Sequence, residues 1–301
     1  LVSEGFPISN NRTLWFAVVL VALLALFAFI RPPAPSAAVA PSPETTVERI
    51  KRTKTLACAY YLWPNLLEKN PNTGEMTGVV VDVANKVAEA LGAKVEWREE
   101  ATIDNFIQLI NAKRVDALCA PFSAIAPFIH TDVRFSHPIY YGRFDAFVRA
   151  DDTRFDEGAE SVNKPDVKFL TLDGSAAAYL SSLRFPNVQK NGLAAVMGAG
   201  QTLLDVKDKK ADITVVDELT AGRFLDSYPG SLKPLRWNGQ SLLVAGVSPF
   251  LTKIDDVVWS RTLDALVDDL VTYGVVDKIL TDHGFKAGWH YQPVALPYDP
   301  R

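Results

Sequence analysis

Histidine and cysteine are scarce in this chain, and the familiar catalytic signatures are missing. The four histidines (His130, His137, His283, His290) show no His-Glu-x-x-His or other ligand spacing, so a metal centre is not expected. No Gly-x-Ser-x-Gly elbow, Walker-type phosphate loop or Gly-x-Gly-x-x-Gly fingerprint occurs, and Gly198-Ala199-Gly200 is a lone glycine pair in a loop. With these absences the chain reads as no enzyme, and no cofactor is expected. Basic charge is also short: the net charge is -4, and Lys and Arg are scattered apart from Lys51-Arg52 and Lys207–Lys210, read as solvated faces. No basic stripe appears, which excludes nucleic acid as the main partner. Two cysteines occur, Cys58 and Cys119, and no Cys-x-x-Cys.

The 301 residues, 48% hydrophobic and 22% charged, are enough for two globular lobes of roughly 100 residues each. Residues 14–30 (LWFAVVLVALLALFAFI) form an uncharged apolar run at the short end of what spans a bilayer, with Trp15 placed as an interfacial anchor. The run is longer than a usual signal core and is read as a retained transmembrane anchor. The competing reading is a secretory signal peptide cleaved after Ala38-Val39-Ala40. Arg12 and Arg31 flank the run on both sides and leave its orientation open. Residues 31–46 (RPPAPSAAVAPSPETT) are a semi-extended tether.

Downstream, strand and helix patterns alternate, which predicts a parallel α/β architecture. Thr55–Tyr61 reads as a buried strand ended by Leu62-Trp63-Pro64-Asn65. Gly74-x3-Gly78-x3-Asp82 leads into an amphipathic helix with Val83, Val87 and Leu91 at helical spacing and Gly92 as its cap. Thr102 is expected to cap a helix over 103–112. Val115–Val148 passes from a strand behind Asp116, through a proline-broken loop, to Phe135-Ser136-His137-Pro138 and a second β-rich run. Val167–Leu172 ends in Asp173-Gly174-Ser175 before a helix, and Asp212–Glu218 is a second Asp-led strand running into a helix. Trp259, Leu263, Leu266 and Leu270 then mark one helix face, and Tyr273-Gly274 separates it from a last short helix.

These motifs resemble the periplasmic solute-binding proteins of the amino-acid type, family 3, over about residues 51–284. The resemblance implies a two-lobed type II periplasmic-binding fold, in addition to the N-terminal transmembrane helix. The chain then divides into a cytoplasmic N-terminus (1–13), anchor (14–30), linker (31–46), first part of lobe 1 (47–147), lobe 2 (148–240), return to lobe 1 (241–284) and tail (285–301). The resemblance also implies that Cys58 and Cys119 lie on neighbouring strands. Bridges between adjacent strands are awkward, so two buried free thiols are favoured over a disulfide.

For the binding cleft, the resemblance implies Trp63 at the ligand mouth and Ser123 as a hydroxyl position. It implies that Ser175 starts a helix whose N–H groups meet an anionic group, and that Asp217 faces a ligand amino group. Two of them have a plainer structural role: core packing for Trp63, helix capping for Asp217. The family's carboxylate-clamping arginine falls at about Phe128 or Ile129 here, so the clamp is absent; Arg134, Arg143 or His130 stand nearby as substitutes. The expected function is capture of a small polar solute between the lobes of a membrane-anchored, extracytoplasmic protein that docks on a membrane permease. The alternative is a non-enzymatic scaffold subunit of a membrane complex, its cleft plugged by side chains such as Phe122, Phe128 or Trp63. The fold also hosts a few dehydratases, which need carboxylate-binding arginines. The aromatic, proline-rich tail either packs on the domain or grips a partner.

Overall fold

The computed structural model describes residues 44–102, 105–124, 132–236, 238–288 and 290–295. The apolar run 14–30, and with it the expected anchor, lies outside them; among the described residues no helix is long and apolar enough to cross a membrane.

Helix α1 (Thr46–Thr53) opens with a reciprocal capping box between Thr45 and Glu48, the arrangement that satisfies two otherwise orphaned N–H donors. Strand β1 (Thr55–Tyr60) follows and is buried from Leu56 onward. After a small hairpin, β2 (Glu68–Lys69) and β3 (Met76–Thr77), comes α2 (Val79–Ala90), whose Val79, Val83, Ala84 and Val87 pack fully into the core. Gly78 precedes it at φ 121, and a Cβ there would stand 2.6 Å from the Leu66 carbonyl oxygen, so only glycine fits. Strand β4 (Lys94–Glu100) and helix α3 (Phe106–Asn111) lead to β5 (Ala117–Ser123). Asn105, rather than the expected Thr102, is the residue that starts α3; its side-chain oxygen accepts from the Thr102 N–H at 2.8 Å.

Strand β6 (Val133–Phe135) precedes β7 (Tyr140–Arg149), and β8 (Lys168–Leu172), α4 (Ala176–Arg184), β9 (Gln189–Leu193) and α5 (Ala199–Lys207) follow. The chain continues through β10 (Ile213–Asp217), α6 (Glu218–Ser227), β11 (Leu232–Leu235) and β12 (Leu243–Lys253). It ends in α7 (Val257–Thr272), α8 (Val275–Asp282) and β13 (Tyr291–Pro293).

The main sheet runs β4-β1-β5-β12-β7-β10-β8-β9. Its flanks are parallel, β4-β1-β5 on one side and β10-β8-β9 on the other. The long strands β7 and β12 run antiparallel between them. At Phe144, β7 hands over from β12 to β10, pairing with Leu243 and with Asp217. Two lobes on one sheet, joined by two crossing strands, make the mixed α/β type II periplasmic-binding fold.

Each lobe has its own apolar centre. Trp259, Phe250, Leu56 and Leu263 fill lobe 1, while Phe155, Phe169 and Phe185 fill lobe 2. The tail packs on lobe 1: Tyr291 is buried against Tyr140, with β13 alongside Tyr140–Gly142 of β7.

The expectation of two free thiols is overturned: Cys58 and Cys119 form a disulfide, with both residues fully buried. The register explains it. Cys58 pairs with Ala117 and Cys119 with Tyr60, so the cysteines are offset by two residues. Their Cα atoms stand 5.5 Å apart, within the span that disulfides use.

Candidate functional site

Between the lobes lies a cavity of about 120 Å³, well beyond the space one water requires. All four residues singled out from the sequence, Trp63, Ser123, Ser175 and Asp217, line it. Trp63 is held by a tight turn, with its N–H donating to the Leu67 carbonyl at 2.8 Å. Its ring begins a row of aromatics that passes through Tyr61 (6.0 Å between centroids) and Phe122 (5.8 Å) to Phe106 (5.1 Å) in the core. Ser123 ends β5 beside Val247 of β12.

The two residues from lobe 2 sit at helix starts, as strand-to-helix turns dictate. Ser175 caps α4: its hydroxyl donates to the Leu172 carbonyl at 2.7 Å and accepts from the Ala178 N–H at 3.2 Å. That hydroxyl is engaged within its own turn, and Ala176 and Ala177 line the cavity beside it. Asp217 caps α6, accepting from the Thr220 N–H at 2.9 Å and the Thr220 hydroxyl at 2.7 Å. The capping and cavity-facing roles of Asp217 therefore coexist. Part of its surface opens to the cavity, but the carboxylate lies deep in the protein. Burial pushes its pKa up, opposed by the Thr220 hydrogen bonds. Tyr140, also lining the cavity, is raised by its burial and then by the charge of Asp217.

The clamp substitutes separate clearly. Arg134 turns away from the cavity and donates to Asp264 at 2.8 Å. His130 lies outside the described residues. Arg143 does line the cavity, but its guanidinium is engaged by both carboxylate oxygens of Glu218. Arg236 joins this pair, 3.6 Å from Glu218 and 3.7 Å from the buried Asp145. Burial raises the Asp145 pKa first, with Arg236 opposing. Sequence reading missed this network as a unit. Its available signal was Arg143 and Asp145 at i and i+2 of an apolar strand, which places both on one face. His290, from the turn before β13, also reaches the cavity.

The sequence profile of the bacterial extracellular solute-binding proteins, family 3, matches residues 65–285. A probable amino-acid ABC transporter-binding protein of Haemophilus influenzae is 25% identical over 184 residues, 61% of this chain and 68% of that one. Among solved structures, an ancestral amino-acid-binding protein, described as a precursor of cyclohexadienyl dehydratase, superposes with a TM-score of 0.68 at 20% identity, covering 81% of this chain and all of the other. The cysteine-binding protein of Campylobacter jejuni gives 0.67 at 16% identity, covering 83% of this chain and 100% of that one.

Proposed function

For a chain that belongs to family 3 of the bacterial extracellular solute-binding proteins, we propose capture of a small polar solute between the two lobes and its delivery to an ABC-type membrane permease. The observation that carries this reading is the cavity itself. It is bounded by lobe 1 through Trp63 and Ser123 and by lobe 2 through Ser175 and Asp217, so a solute there would touch both halves and favour closure. Trp63 and Phe122 line open space, where a plugged scaffold would need them to fill it. The relative from Haemophilus influenzae, named as a probable transporter-binding protein, supports the same reading. Binding without catalysis is the assignment, since Arg143, the guanidinium at the cavity, is neutralised by Glu218.

The proposed division is lobe 1 from 47–147 and 241–284, lobe 2 from 148–240, and a tail from 285–301, of which Tyr291–Pro293 pairs with β7. Residues 14–30 anchor the chain in the cytoplasmic membrane, with 31–46 as tether and the two-lobed domain on the extracytoplasmic side. The support for this is the uncharged apolar run followed by a proline-rich stretch. Alkaline-carbonate extraction tests the anchor: the full chain stays with the membrane fraction, and deletion of 14–30 releases it.

Solute capture is tested by thermal unfolding of residues 44–301 against amino acids, amines, sugars and organic acids. A ligand at a hundred times its Kd stabilises by about 2.7 kcal/mol, which moves the midpoint by a few degrees. A shift with one chemical class is the expected outcome. A flat response across the whole panel transfers the assignment to the scaffold.

A further inference from the structure

We infer that the solute is a monovalent organic cation with an apolar body and no carboxylate, such as an alkyl- or arylamine, whose ammonium meets Asp217. This rests on the solute-capture reading and adds the ligand's charge and shape to it.

Charge comes first. Among the described lining residues, the only Lys or Arg is Arg143, and Glu218 holds it. Arg143 and Arg236 both face the carboxylates of Glu218 and Asp145, so these guanidiniums are engaged rather than offered to a guest. The Nδ1 of His290 accepts from the Lys286 N–H at 3.2 Å. Among the described lining residues, Asp217 is the one carboxylate. Its hydrogen bonds come from Thr220, one turn into its own helix, and no basic side chain among the described residues lies within ion-pair distance. A carboxylate in a low-dielectric cavity, satisfied by dipoles but not by a cation, favours a positively charged guest.

Shape comes second. Tyr61, Trp63, Phe122, Tyr140 and Phe144 all face the cavity. Aromatic faces attract cations through their quadrupole and accept an apolar body by burial. A zwitterionic amino acid would bring a second charge, a carboxylate, into the same space. Among the described lining residues it would find the N–H dipoles at the start of α4 near Ser175 and no guanidinium other than Arg143, which Glu218 holds. The sequence agrees: residues 124–132 contain no Arg or Lys.

Titration calorimetry on the full chain in detergent tests this with 2-phenylethylamine, L-phenylalanine, 2-phenylethanol, 3-phenylpropionate and L-arginine. The amine is expected to bind at least about 30-fold more tightly than any of the others, the loss typical when a buried charge goes unpaired. Asp217→Asn provides the second measurement, because Asn caps a helix as well as Asp does. It keeps the unfolding midpoint, weakens 2-phenylethylamine by about 30-fold and leaves 2-phenylethanol unchanged. Tighter binding of L-phenylalanine or L-arginine than of the amine overturns the inference and leaves solute capture standing. So does an amine affinity untouched by Asp217→Asn, or a hit in the broad panel from sugars or acids with no response to amines. No binding by any compound in either set removes solute capture itself, and this inference with it.

Discussion

Each lobe leads an inner strand with an aspartate that performs the same backbone task, yet the two carboxylates are pushed in opposite directions. Asp116 accepts from the Ala57 N–H at 2.8 Å, and its own N–H donates to the Ala57 carbonyl. Asp212 does the same with Lys168, at 2.9 Å for both bonds. In lobe 1 the burial of Asp116 raises its pKa, and Arg49 is too weak an opponent to reverse that. In lobe 2 burial also pushes Asp212 up, but the Lys168 N–H together with Arg154 and Arg149 outweighs it, and the net shift is downward. Asp152, shared by the same two arginines, is held low chiefly by Arg154. Similar geometry thus does not fix the direction of the shift: two arginines act on each carboxylate, and Asp116, its side chain 8% exposed against 15% for Asp212, carries the larger burial penalty. Lobe 1 compensates differently, with the Cys58–Cys119 bridge between the strands that Asp116 joins.

Removing each lobe's own device separates them. The largest effect is expected from C58A/C119A: a bridge closing a loop of 61 residues contributes about 2–4 kcal/mol, and the loss should appear in urea unfolding. Hydrogen exchange should localise it to β1, β4 and β5 with β8–β10 unchanged; equal loosening of both lobes would break the comparison. Next, Asp212→Asn should destabilise by about 2 kcal/mol at neutral pH, since it leaves the arginines facing an uncharged amide. Asp116→Asn should cost less than about 1 kcal/mol by the same measurement, because the loss of its Arg49 ion pair is offset by relief of the burial that raises its pKa. A larger loss from Asp116→Asn than from Asp212→Asn would reverse the argument.

The smallest effect is the pH dependence, and its sign differs between lobes. Asp212 and Asp152 are depressed on folding, so their stabilisation is present above the unfolded carboxylate pKa of about 4 and lost as pH falls through the folded values. Asp116 is raised on folding, so the folded state binds its proton more readily. Its contribution is most favourable below about pH 4 and declines as pH rises through the raised value. Mild acidification should therefore relieve the Asp116 term before it weakens the Asp212 term. Stability measured from pH 7 downward should fall later in Asp212→Asn than in the parent chain.

Much of the architecture was readable because single residues have single solutions. Gly78 is required by the approach of the Leu66 carbonyl, and the aspartates before β5 and β10 stand where their neighbouring strands begin. The cavity residues were readable for a related reason: Ser175 and Asp217 occupy strand-to-helix turns, whose positions follow from element order. What stayed hidden depends on register or on distant pairing. The disulfide needed the two-residue offset between β1 and β5, which no local pattern encodes. The network of Arg143 and Asp145 with Glu218 and Arg236 joins three segments far apart in the chain. The tail's short strand, ending in Pro293, lacks the apolar alternation that marks a strand in advance.

The way β7 divides its partners has a consequence for the order of folding. Its second half pairs with β10 and β11, which lie within the next hundred residues or so, whereas its first half awaits β12 and β13. Lobe 2 is one continuous stretch and can close on itself through short loops. Lobe 1 is assembled from two stretches separated by all of lobe 2, so its closure carries the larger loop entropy. The wall of the cavity around His290 is set only when the last strand arrives, and a chain halted before β13 would hold two recognisable halves with one side of the binding space still open.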